Sequence, residues 1–108
     1  MVLYGLGSCD SCRKALKAIR AAGREVAFRD IRAEPLSAAE RAEFVAAFGE
    51  RIVNRASTTW RGLSQAQRAA SPEALLAAHP TLMKRPVIRA GDRLHLGWTE
   101  EVRAALLA

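Results

Sequence analysis

Cys9 and Cys12 are the two cysteines of this chain, and they stand in Cys-x-x-Cys spacing close to its start. Thiols at that spacing can do three kinds of work. They can exchange with a disulfide, one thiolate attacking and the other closing onto the first. With further soft ligands they can hold zinc, which needs about four. Or both can lie inert in a core, because a free cysteine packs as a small hydrophobe. A purely structural disulfide is a poor fourth option, since the loop it closes is tiny and removes little chain entropy. His79 and His95 stand apart in sequence without ligand spacing, so no metal site is expected.

The flanking residues favour the reactive reading. Before the cysteines lie the apolar run Val2-Leu3-Tyr4 and a glycine-rich turn; after them Cys12, Ala15, Leu16, Ile19 and Ala22 recur on one helical face. A strand, a turn and a helix opening place Cys9 at or just before the helix N-terminus. Unpaired backbone N–H groups and the positive end of the helix dipole favour a thiolate there. Arg13 and Lys14 add positive charge in a first turn where helix stability alone would favour acids. Cys9 is therefore expected to be the more acidic and more reactive thiol, with Cys12 inside the first turn.

The elements that must hold this site follow in order. Val2–Gly5 reads as a buried strand, and the helix after it runs to about Ala22, with Gly23 as its terminating residue. Arg24 to Ile31 reads as a second strand with Val26, Phe28 and Asp30 on one side, completing a right-handed βαβ unit. Ser37-Ala-Ala-Glu40 is a capping box opening a helix that turns Phe44, Val45 and Phe48 inward and ends at Gly49. A short turn is expected over 51–54. Asn54 to Gly62 reads as an irregular polar loop of the kind that serves sites. A short helix over 64–70 follows, then one opened by Ser71 and Pro72 that runs to about His79. Val87–Ala90 and Arg93–Gly97 read as a hairpin around Gly91-Asp92. Thr99 caps a last helix, Glu100 to Leu107, with Val102, Ala105 and Leu106 inward.

Composition sets the bounds. The chain has 108 residues, half of them hydrophobic, which suits one domain with a core of its own. Two cysteines in this spacing suit a reducing cytosol better than secretion. Neither a signal peptide nor an apolar run of membrane length is apparent, so a cytoplasmic protein with no membrane association is expected. The net charge of +6 raises the question of nucleic acid. The 17 basic residues include only three lysines and do not cluster, and aromatics are few, so no direct DNA binding is expected. An anionic small substrate or an acidic partner surface fits the charge as well.

The order β-α-β, helical segment, β-β-α is that of a thioredoxin-like (glutaredoxin-like) α/β fold with an all-helical insert, about residues 37–83, between the second and third strands of a single domain, 1–108. Specific residues point the same way. Tyr4-Gly5, Cys9-Asp10-Ser11-Cys12-Arg13-Lys14-Ala15, Thr58-Thr59-Trp60-Arg61, His79-Pro80, Lys84-Arg85-Pro86 and Leu96-Gly97 together resemble the arsenate reductase (ArsC)/Spx family over nearly the whole length. The Thr-Thr-Trp-Arg block is most like its YffB-type subgroup, proposed to be glutathione-dependent thiol reductases. The Cys-x-x-Cys with Arg-Lys-Ala is most like the Spx/MgsR regulators.

That resemblance implies roles. Cys9 would be the redox nucleophile, with Cys12 a resolving thiol. Arg85 would bind the anionic substrate or glutathione, and Pro86 would be cis and border the site. Arg13 and Arg55 are further substrate-binding candidates, Arg55 standing next to Ala56, where many relatives have an arginine. Trp60, by its own chemistry as an aromatic in a loop flanked by helical segments, is expected to be more core than site. The implied activity is a cytoplasmic thiol–disulfide oxidoreductase acting as a monomer, with no bound cofactor and glutathione or another thiol or disulfide as cosubstrate. The alternative is a redox-sensing regulator that binds RNA polymerase. Arsenate reduction ranks lower, because true arsenate reductases carry a basic residue at about the position of Gly97.

Overall fold

The computed structural model describes residues 1–107. Its contacts divide into two compact units: Met1–Glu34 together with the chain from Arg85 onward, and Pro35–Lys84.

The first unit is built on four short strands: β1 (Val2–Gly5), β2 (Ala27–Asp30), β3 (Val87–Ala90) and β4 (Arg93–Leu96), in the order β2-β1-β3-β4. β1 runs parallel to β2, with Gly5 opposite Asp30, and antiparallel to β3, with Leu3 opposite Ile88; β3 and β4 form the expected hairpin. Helix α1 (Asp10–Ala21) supplies the crossover from β1 to β2. Cys12, Ala15 and Ile19 of α1 share one buried cluster with Leu3, Ile88, Val102 and Leu106, the last two from a C-terminal helix over Glu100–Leu107. Both helices therefore pack on the sheet face that carries Leu3 and Ile88. Thr99 caps the C-terminal helix, its Oγ1 accepting from the Val102 N–H at 3.2 Å.

Two inward assignments fail at helix ends or edges. Ala22 and Ala105 are exposed; Ala22 is already the C-cap of α1, where the chain leaves the helix. β2 also starts later than Arg24. The Gly23 N–H bonds the Arg20 carbonyl at 3.0 Å and the Arg24 N–H bonds that of Ile19 at 3.2 Å, with Gly23 at φ 78°. This is a Schellman closure of α1, and it commits Arg24 to the helix end rather than to the sheet.

The second unit is a chain of short helices, each opened by a serine. α2 (Ala38–Phe48) starts in the expected capping box: Ser37 Oγ accepts the Glu40 N–H and the Glu40 carboxylate accepts the Ser37 N–H. Ser57, Ser64 and Ser71 cap α3 (Thr58–Arg61), α4 (Gln65–Arg68) and α5 (Pro72–Ala78). Each such cap contributes about 1 kcal/mol by satisfying a donor the helix start leaves unpaired. The segment read as an irregular loop over 54–62 thus contains a helical turn, α3. 3-10 turns over Gly49–Ile52 and Pro80–Leu82 complete the unit. Every element of this insert is helical, as expected, with one isolated bridge beside the helices. Val53 and Met83 form an antiparallel bridge, with Asn54 N–H donating to Leu82 O and Lys84 N–H to Ile52 O, both at 2.7 Å. That bridge ties the middle of the insert to its C-terminal end, and Phe44, Ile52, Leu82 and Met83 are fully buried. No helix among the described residues is long and apolar enough to cross a membrane.

Candidate redox site

β1 delivers the chain to the site and α1 carries it away. After Gly5 the backbone turns, and the Cys9 N–H donates to the Leu6 carbonyl at 3.1 Å. Cys9 is the N-cap of α1, in extended conformation, and its carbonyl accepts the Arg13 N–H at 3.0 Å to start the helix. Its sulfur makes no regular capping bond, but the Cys12 N–H faces it closely enough to favour the thiolate. Cys9 is partly exposed, whereas Cys12, one turn on, is fully buried.

The two thiols are driven in opposite directions. Burial raises the Cys9 pKa, but the Cys12 N–H, the Cys12 thiol and the Arg85 guanidinium all reach its sulfur and bring it below the ordinary thiol value. Burial pushes Cys12 up to about 12, the facing Cys9 sulfur adding to that, against a backbone N–H from Leu6 and the charge of Arg85. The exposed thiol is thus the one poised to ionise, as its place at the helix N-terminus predicts.

Arg85 and Pro86 come to this site from the chain just before β3. The Arg85–Pro86 bond is cis, as expected, and Pro86 is fully buried. The Pro86 carbonyl accepts the Gly97 N–H at 2.7 Å. Gly97 sits at φ 81°, just beyond β4, a conformation that disfavours any side chain. A basic residue would not fit this position without strain, which gives a backbone reason for the departure from the arsenate reductase pattern.

The other candidates are placed differently. Arg13 ion-pairs with Asp10 at 2.8 Å on the exposed side of α1. Together with Lys14 it holds the Asp10 carboxyl below its usual range, so its charge is shared with an acid in its own turn, and Arg85 is the cation that reaches Cys9. Arg55 belongs to the second unit, where it pairs with Glu50 at 3.5 Å and lies 5.4 Å from the Trp60 ring centre. Arg68 covers the same ring at 5.3 Å and donates to the Trp60 carbonyl. Trp60 is half-buried between these two cations, an arrangement each worth about 0.5–1 kcal/mol at such exposure. No group of three or more His, Cys, Asp or Glu that could hold a metal occurs among the described residues.

Two residues gain roles that sequence reading did not give them. Gly5 passes directly against Cys12: a Cβ at position 5 would overlap the Cys12 sulfur and lie 3.3 Å from its Cβ. Asp30, at the end of β2 opposite Gly5, accepts the N–H groups of Arg32 at 2.8 Å and Ala33 at 3.2 Å. Those two donors lower its pKa most, and the Gly7 N–H in the redox loop adds to them. An Asp closing a strand before a turn is a recognisable Asx-turn signal, which was legible; its reach across to Gly7 was not.

Comparison with known proteins agrees with this architecture. The ArsC family model matches residues 4–106. An uncharacterised Haemophilus influenzae protein is 31% identical, covering 100% of this chain and 99% of its own length. Among solved structures, the YFFB protein superposes with a TM-score of 0.91 at 33% identity, covering 99% of this chain and 98% of that one. An arsenate reductase (ArsC) related protein from Brucella melitensis gives 0.76 at 32% identity, covering 96% and 91%. An arsenate reductase from Vibrio cholerae gives 0.80 at 19% identity, covering 98% and 96%, and shares the fold. With its thiol pair at a helix N-terminus beside a cis Arg-Pro bond, and with near-complete matches in both sequence and structure, this chain belongs to the ArsC family of thioredoxin-like proteins.

Proposed function

We propose that the protein is a thiol–disulfide oxidoreductase in which Cys9 is the nucleophile, Cys12 the resolving thiol and Arg85 the anion-binding residue, with glutathione or a related small thiol as cosubstrate. The observation that carries this reading is the opposed pair of thiols: one partly exposed with its pKa lowered by Arg85 and the Cys12 N–H, the other buried and raised.

The chemistry balances as follows. The Cys9 thiolate attacks a substrate disulfide; the Cys9–S bond forms as the substrate S–S bond breaks, and the leaving thiolate takes a proton from solvent. The Cys12 thiol then gives up its proton and attacks the Cys9 sulfur, releasing the second substrate thiol. The protein ends two electrons oxidised, with a Cys9–Cys12 disulfide, and two equivalents of small thiol return it to the dithiol. Buried Cys12 has a high pKa, so its ionisation is the slower half. A cationic guanidinium beside Cys9 serves both the thiolate and an incoming carboxylate, and glutathione carries two carboxylates.

The test is intact-mass analysis of the reduced protein with glutathione disulfide. A glutathione adduct on Cys9 that decays to the Cys9–Cys12 disulfide, and that accumulates in Cys12→Ser, is the expected result. No adduct at all on Cys9 would sink the reading and favour the polymerase-binding regulator.

A further inference from the structure

Helix α1 carries a second feature that the redox chemistry does not use. Its buried side is Cys12, Ala15 and Ile19; its exposed side presents Arg13, Lys14, Lys17 and Arg20. Arg13, Lys17 and Arg20 fall at i, i+4 and i+7, so they form one stripe along the helix. The stripe begins one turn from Cys9 and ends at Arg24, just past the terminus of a twelve-residue helix roughly 18 Å long at the α-helical rise. The only acid on the helix is Asp10, which Arg13 already holds. Among the described residues Lys17, Arg20 and Arg24 make no ion pair.

Local stability accounts for only part of this pattern: Arg20, in the last turn, suits the helix dipole, but the cations ahead of it do not. Like charges at i, i+4 repel, and cations near a helix N-terminus oppose the dipole. At the far end of the stripe Arg20 and Arg24 border an open cleft of about 720 Å³ that is also lined by Met1, Val26, Ala27 and one acid, Glu25. Beyond Arg13, which Asp10 holds, the cations Lys17, Arg20 and Arg24 carry no ion pair among the described residues and lead from the redox end of the helix to a partly apolar cleft, the layout of an extended binding track.

We infer that this face of α1 docks an acidic segment of a protein or peptide disulfide, seating its disulfide at Cys9 and an apolar residue of the same segment in the cleft. The inference rests on the thiol-exchange reading above and adds the class of substrate: disulfides in an acidic polypeptide, favoured over neutral ones of equal reactivity. Complementary charge is what selects this occupant. The stripe is too short and too poor in interleaved aromatics for a nucleic-acid platform, and steering by a basic track raises association rates roughly 10- to 1,000-fold at low salt. The step at sulfur is the exchange written above, the partner disulfide accepting the two electrons of the Cys9–Cys12 dithiol.

The experiment measures single-turnover rates of the reduced protein with three disulfides: hydroxyethyl disulfide, a disulfide-bridged peptide followed by five glutamates and a leucine, and the same peptide with glutamines. Binding of the two peptides to Cys9→Ser is read in parallel by fluorescence anisotropy. The wild type should react with the glutamate peptide roughly tenfold faster than with the glutamine peptide at low salt. High salt, or the combined variant Lys17→Glu, Arg20→Glu, Arg24→Glu, should abolish that preference and leave the hydroxyethyl disulfide rate unchanged. Equal rates for the two peptides, or a preference that survives the triple substitution, would overturn the docking surface. A duplex oligonucleotide that binds more tightly than the glutamate peptide at matched charge would overturn the chosen occupant. If hydroxyethyl disulfide fails to react with the wild type, the exchange reading itself falls; acidic-peptide binding that is lost in the triple variant would still uphold the docking face.

Discussion

Gly5 and Cys12 are in such close approach that position 5 has no room for a side chain: a methyl group there would overlap the Cys12 sulfur. The last residue of β1 therefore sets where the second thiol can lie. Cys12 is fully buried, facing the sheet, because the strand beneath it ends in a residue without a Cβ.

Gly5→Ala should accordingly push the Cys12 side chain outward or shift α1. Overpacking of this kind costs about 1–3 kcal/mol, which denaturant melts would read directly. The same variant should form the Cys9–Cys12 disulfide more slowly while Cys9 alkylation stays close to normal. Unchanged stability and unchanged closure would show that Cys12 is not held against Gly5.

The opposed thiols predict separate titrations. Iodoacetamide should modify Cys9 with a midpoint below the ordinary thiol value of 9.0, and Cys12 should stay unreactive until strongly alkaline pH, its pKa lying at about 12. Cys9→Ser should therefore lose reactivity near neutral pH, and Cys12→Ser should keep it. Equal midpoints in the two variants would contradict the assignment.

Stability should follow the same two thiols with opposite signs. Cys9 is an acid whose folded pKa is lowered, so it adds stability above its unfolded value and loses it as pH falls through the folded one. Cys12 is raised from 9.0 to about 12, so its contribution is complete below pH 9.0 and declines as pH climbs toward the folded value. Above the unfolded value, Cys12→Ala should lose stability less steeply with rising pH than the wild type does. Parallel alkaline slopes for the two proteins would contradict a buried, raised Cys12.

Much of this was legible because local signals agree with the global arrangement. The strand–turn–helix around Cys9, the capping box at Ser37, the Gly91-Asp92 hairpin and the Thr99 cap each carry their own chemistry in adjacent residues, and each was placed closely. What escaped depends on residues far apart in sequence. The contact of Gly5 with Cys12, the Gly97 N–H on the Pro86 carbonyl and the Val53–Met83 bridge are tertiary pairings without a periodic pattern. The α3 turn was missed for a different reason: four residues are too few to show a helical period, and only Ser57 marks the start. The expectation that Arg13 reinforces the Cys9 thiolate failed because Asp10, three residues earlier, takes its guanidinium first.

Gly97 tests whether the departure from the arsenate reductase pattern lies in the backbone. At φ 81° and buried beside Thr99, Gly97→Ala should cost about 1–2 kcal/mol from the left-handed conformation alone, and Gly97→Arg more. Neither is expected to gain arsenate reductase activity, because the main chain would move before the side chain reached the site. A Gly97→Arg protein of normal stability that reduced arsenate would show that the missing cation, and not the backbone, is the barrier.

Arg85 carries the most consequential prediction, since one guanidinium is asked to do two things. It lowers the Cys9 pKa by donating to the sulfur and through its charge, and in the proposed reaction it holds the carboxylate of the incoming thiol. Arg85→Ala should raise the Cys9 alkylation midpoint and slow mixed-disulfide formation with glutathione disulfide. Loss of a charge-assisted contact of about 1.5–3 kcal/mol corresponds to roughly ten- to hundred-fold in rate. The two roles separate with substrate charge. With neutral hydroxyethyl disulfide only the pKa effect remains, so its rate at a pH where Cys9 is fully ionised should change little, whereas the glutathione disulfide rate stays depressed. Arg85→Lys should restore most of the pKa shift and only part of the glutathione rate, because an ammonium keeps the charge but not the planar fork. If Arg85→Ala slows both disulfides equally at that pH, Arg85 acts on the thiol alone and the carboxylate is held elsewhere.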